Sequence, residues 1–129
     1  MINDVERAIQ DAIASNQDSK KINKAYLEFI KANFIVPVEN YTEASEPEVL
    51  FLVEQDQPYL PVFSNMDAFD NWAKPIADKI QLLKLSGVDL LKGIEDNVNI
   101  AFNIGSPFYK TFLPEEIARM KGMVLKFFK

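Results

Sequence analysis

The chain has 129 residues, 48% of them apolar or aromatic and 26% charged, with no His, no Cys and a net charge of −5. This length fits one domain of about 100–200 residues, able to bury roughly two-thirds of its unfolded surface. The missing residue types exclude a Ser-His-Asp triad, a thiol nucleophile, disulfides and any His- or Cys-ligated zinc or haem, and the acidic balance disfavours nucleic acid and anionic lipid as partners.

Met1 to Ile13 lacks the basic and apolar regions of a secretory signal. The longest apolar runs, such as Val49–Val53, fall far short of the ~20 residues a membrane span needs. A cytoplasmic protein that avoids membranes is the expectation.

Two helices open the chain. Val5, Ala8, Ile9, Ala12 and Ile13 form one apolar stripe, preceded by Asn3 as cap, with Glu6 three residues on to complete a capping box. After the polar break Ser15–Ser19, Ile22, Ala25, Tyr26, Phe29 and Ile30 repeat the stripe, with Asp18 or Ser19 as cap. The pair predicts a helical hairpin over 3–32 that lays its apolar face on another layer.

The period then changes. Phe34–Val38 predicts a strand, and Pro37 implies an edge or a strand end. Tyr41–Glu48 predicts a solvated loop, followed by strands Val49–Glu54 and Tyr59–Phe63. The turn Gln55–Pro58 is too short for a crossover, so these two strands pair antiparallel. Ser64 is expected to cap a short helix that carries Asp67 in its first turn, and Trp72 to lie largely buried beside Phe63 and Phe69. Lys79–Leu85 predicts a strand with Ile80, Leu82 and Leu85 inward. Ser86 and Asp89 then cap a brief helix that stops at Gly93.

Val98, Ile100, Phe102 and Ile104 alternate with Asn99, Ala101 and Asn103, the pattern of a half-buried strand within the same sheet. Phe108–Phe112 is extended. Pro114 opens a final helix with Ile117, Met120, Val124 and Phe127 on one face, Glu115 and Glu116 in its first turn and Lys126 near its last. The fold class is α+β: a mixed, mostly antiparallel sheet of about five strands over 34–112, with the helical hairpin and a C-terminal helix (114–127) packed on it, one domain over 1–129.

Three segments together resemble the N-terminal domain of the SseB family, the enhanced serine sensitivity proteins: Phe34-Ile35-Val36-Pro37; Leu60-Pro61-Val62-Phe63-Ser64-Asn65 with Phe69 and Trp72; and Asn103-Ile104-Gly105-Ser106-Pro107 leading into Leu113-Pro114-Glu115-Glu116-Ile117. Their order covers about residues 20 to 125. Family members tend to carry Pro after the Asn of the third segment, where this chain has Ile104, which implies a loop of different shape. Many also carry a second, C-terminal domain, for which this sequence leaves no room. The resemblance implies the fold, and a binding or regulatory module without an established reaction.

The candidate sites are few. Asn103, Gly105 and Ser106 sit in a turn whose N–H groups and hydroxyl suit an anion or a peptide terminus, although a tight turn alone accounts for the same residues. With Asp67 or Asp70, that loop gives an alternative reading as a small-molecule sensor or cryptic hydrolase. These two carboxylates suit acid–base work or a hard cation, but also a cap and a solvated face. No residue is assigned as catalytic or metal-binding, and no cofactor is expected.

From Glu39 to Asp56 there are six carboxylates, Glu43, Glu46 and Glu48 among them, and no Lys or Arg. Such a run either keeps a loop in water or speeds encounter with a basic partner. Met123 and Phe127 suit an apolar partner-binding patch at the end of the last helix. A protein partner is expected for this module, with a weak homodimer as the second option.

Overall fold

The computed structural model describes residues 3–39, 49–107 and 109–127. The first two helices are α1 (Asp4–Ala14) and α2 (Ser19–Lys31), and the Asn3–Glu6 capping box and the Asp18 cap both form as their residue types require. Asn16 and Gln17 make the turn between them, both with φ near the left-handed region, at 56° and 70°.

Among the described residues six strands follow, and they divide between two sheets. In one, β1 (Asn33–Glu39) pairs antiparallel with β4 (Ile80–Ser86). The other runs β2 (Leu52–Glu54), β3 (Gln57–Val62), β5 (Asn99–Phe102), β6 (Lys110–Phe112). β2 and β3 are antiparallel, as are β5 and β6, whereas β3 and β5 run parallel. The sheets touch through isolated bridges, Ile35 to Phe63 and Val38 to Val49. Pro37 explains why they do not merge. Ile35 exchanges both backbone bonds with Phe63, so Pro37, two residues on, faces the same side without an N–H to offer.

The remaining helices are α3 (Met66–Ala73), α4 (Gly87–Gly93) and α5 (Pro114–Phe127), with a 3-10 segment at Lys74–Lys79. Strand alternation sorts the apolar residues between two faces. On one, α1, α2, α4 and α5 cover a large core. Phe29 stands at its centre, 4.5 Å from Phe34 and 5.1 Å from Phe112 between ring centroids. On the other, Ile35, Phe63, Phe69 and Ala73 form a satellite cluster under α3.

Several expectations need correction. The hairpin turn narrows to Gln55-Asp56, both with positive φ, so Gln57 and Pro58 belong to β3. The strand expected from Val49 shortens to β2, with Val49 only bridged. Asn65, not Ser64, caps α3. Leu82 is exposed while Leu83 is half-buried, because alternation puts Leu83 on the face of Leu85, which packs on the large core, and Leu82 on the face of Ile80. β5 is buried on both faces between two paired neighbours, so Asn99 and Asn103 are interior, Asn99 against Gln57 and Pro58 and Asn103 against Ser64.

Trp72 packs partly buried against the cluster of Phe63 and Phe69, in line with the expectation, its ring 5.3 Å from that of Phe63. Ile13 and Phe127 are each 61% exposed, since both lie at helix ends that outrun the core. The expected loop 41–48, with Glu43, Glu46 and Glu48, lies outside the described residues, as do Phe108 and the chain beyond Phe127.

Gly87 opens α4 where it meets α2, donating its N–H to the Ala32 carbonyl at 2.8 Å. A Cβ there would stand 2.2 Å from the Phe29 carbonyl oxygen, a backbone atom that cannot swing aside. Gly122, inside α5, faces open space. Gly87→Ala should therefore destabilise by about 1–3 kcal/mol through overpacking, whereas Gly122→Ala should stabilise by about 0.5–1 kcal/mol. Urea unfolding of both variants, moving in opposite directions from the parent, checks this.

Candidate functional site

The turn residues read from the sequence lead first into the interior. Asn103 ends β5 with φ 53° and is fully buried, its N–H extending the β3 pairing to the Val62 carbonyl at 2.8 Å. Its side-chain Oδ1 accepts from the Ser64 N–H at 2.9 Å, and its Nδ2 donates to Ser64 Oγ at 2.9 Å. Ser64 Oγ in turn donates to Glu6 Oε2, which also accepts from Asn65 Nδ2 at 2.9 Å. Asn3 closes the ring by donating from its Nδ2 to the Ser64 carbonyl at 3.1 Å.

Glu6 is only 2% exposed, and no cation is paired with it among the described residues. Its charge is met by neutral donors and by the N-terminal turn of α1, where it is the third helical residue. The polar residues of the second and third motifs thus meet at one point. They pin α1 to the ends of β3 and β5, with both the Oδ1 and the Nδ2 of Asn103 engaged in this tie.

Gly105 and Ser106 stay at the surface. Gly105 has φ 85°, and Ser106 donates from Oγ to the Asn103 carbonyl at 2.8 Å. Asp67 and Asp70 are exposed on α3. The structure therefore separates the candidates for the loop site, with the amide turned inward and the carboxylates in water.

Sequence reading missed a broad groove of about 740 Å³ between the helical hairpin and α5. Its apolar wall is Ile9, Ala12, Ile13 and Ile22; its polar wall is Tyr26, Lys110, Glu116 and Arg119. Glu116 joins that wall together. Its Oε1 accepts from the Tyr26 hydroxyl at 3.2 Å and from Lys110 Nζ at 3.3 Å, and its Oε2 from the Leu113 N–H at 2.9 Å. Lys110 Nζ also lies 4.9 Å from the Phe112 ring centroid. Burial, then the Glu116 charge and its hydrogen bond, push the Tyr26 phenol up to about 12, with Arg119 pulling the other way. The only hint in the sequence is an i to i+90 partnership that no local pattern reports.

Comparison with known proteins now gives the class. Residues 5–119 match the SseB protein N-terminal domain. The chain belongs to the SseB family. No curated protein and no solved structure matches it. Among the described residues no helix is long and apolar enough to cross a membrane, and no group of three or more metal-ligating side chains comes together.

Two outcomes follow. Ser64→Ala and Asn103→Ala should each destabilise by about 1–3 kcal/mol by stranding buried partners, and the double variant by less than the sum, because both act on one network; chemical unfolding of the cycle measures this. The Tyr26 phenol should titrate near 12. A phenol whose pKa is raised on folding contributes stability that is complete below about 10 and is lost as the pH rises through 12. Ultraviolet titration of the parent against Tyr26→Phe should show this late step disappear.

Proposed function

We propose that this chain is a non-enzymatic, cytoplasmic protein-binding or regulatory adaptor module. The supporting observation is the makeup of the large groove. Of its ionisable groups Tyr26 and Lys110 are tied together through Glu116, while its apolar wall runs out to Ile13, 61% exposed at the end of α1. Self-satisfied polar groups beside uncovered apolar surface suit docking. The end of α5 supports the same reading. Leu125, 71% exposed, lines a recess of about 250 Å³ with Leu91 and Val124, Phe127 is 61% exposed, and Met123 packs on the core.

Co-purification from native lysate of the parent, Ile13→Ser and Phe127→Ser tests this. Both side chains are exposed, so all three proteins should melt alike. A specific protein recovered with the parent should fall by about tenfold or more with at least one variant, a loss of about 1.4 kcal/mol. Identical recovery with all three would refute docking at these surfaces, and no specific protein with any of them would refute the adaptor reading.

A further inference from the structure

A second concave surface lies on the opposite side of α4 from the recess beside α5. It is a trough of about 340 Å³ between α4 and the strands. Its floor is Val36, Leu60, Leu90 and Ile94, all buried, so it reaches down to the large core. At its mouth Phe51 is 44% exposed. The charged residues of its lining are Asp89 and Glu95, and no Lys or Arg lines it among the described residues. Both carboxylate residues are exposed, and no described cation is paired with either. Lys92, on the same helix, faces the other way and lines the recess beside α5.

We infer that this trough docks a segment of a partner protein that presents large apolar side chains flanked by Lys or Arg. This rests on the adaptor reading and names the partner's chemistry. The floor supplies contact for apolar anchors, and a rim of one sign selects basic flanks and repels acidic ones. A second copy of this chain, with net charge −5, is the poorer fit. The volume admits side chains, not a folded domain.

The probe is a labelled synthetic peptide with Leu and Phe anchors flanked by Lys, compared with a twin flanked by Glu. Fluorescence anisotropy with the intact protein should show the Lys peptide binding at least about tenfold tighter than the Glu twin, with affinity falling as salt rises. Phe51→Ala and the double variant Asp89→Lys/Glu95→Lys should each weaken the Lys peptide by about fivefold or more, while circular dichroism confirms the fold. Equal binding of both peptides, no binding, or binding that survives both variants would overturn the proposal. So would a dimer of the protein alone that dissociates on Phe51→Ala, since the occupant would then be a second copy. A native partner lost with Ile13→Ser but kept with Asp89→Lys/Glu95→Lys would leave the adaptor reading standing and remove the trough from it.

Discussion

A carboxylate taken out of water without a cation is costly to hold, and in this fold Glu6 is held by donors from distant stretches of chain. The N-terminal cap, the residues after β3 and the residue after β5 all converge on or near it, through Asn3, Ser64, Asn65 and Asn103. Its position as third residue of α1 adds the field of the helix terminus. The arrangement tolerates little exchange, because each donor has a fixed length and direction. The tie also decides where α1 lies, and therefore where the groove beside the hairpin opens.

Much of this was legible in the sequence where one local rule sufficed. The capping box at Asn3 and Glu6, the Ser86–Asp89 cap and the apolar stripes of α1 and α2 each depend on residues within one or two turns, and each formed as read. What escaped depends on tertiary neighbours. Asn99 and Asn103 read as the wet side of a strand because alternation reports polarity, not coverage, and here Gln57, Pro58 and Ser64 from the neighbouring stretch of chain meet them. Ser64 offered a hydroxyl at a helix start, and the choice between it and Asn65 was settled by Glu6, 58 residues away. Of the candidate site, the motifs pointed to the right residues but could not say that they face inward. The groove was invisible because its walls come from both ends of the chain.

The two faces of the sheets have unequal tasks. The large core gathers four helices with Phe29, Phe34, Phe102 and Phe112, while the satellite cluster needs only α3 with its half-buried Trp72. Concave surface follows the larger core, where helices of different length leave gaps between them. α1 ends on Ile13 over one gap, and α4 separates two others. Apolar recesses at helix junctions, rimmed by charge, are ordinary sites for recognition in small domains.

The tie around Glu6 also carries a consequence for the order of synthesis. Glu6 leaves the ribosome early, yet its connection through Ser64 is complete only once Asn103 exists, 39 residues beyond Ser64. At a translation rate of about 5–20 residues per second, the first helix waits roughly 5–20 s for its last partner. Through that interval its apolar stripe can lean on α2, but it has no sheet to rest against. The nascent chain is thus a hairpin in search of a floor, and its vulnerable period to chaperones and proteases is set by the distance between the motifs along the message.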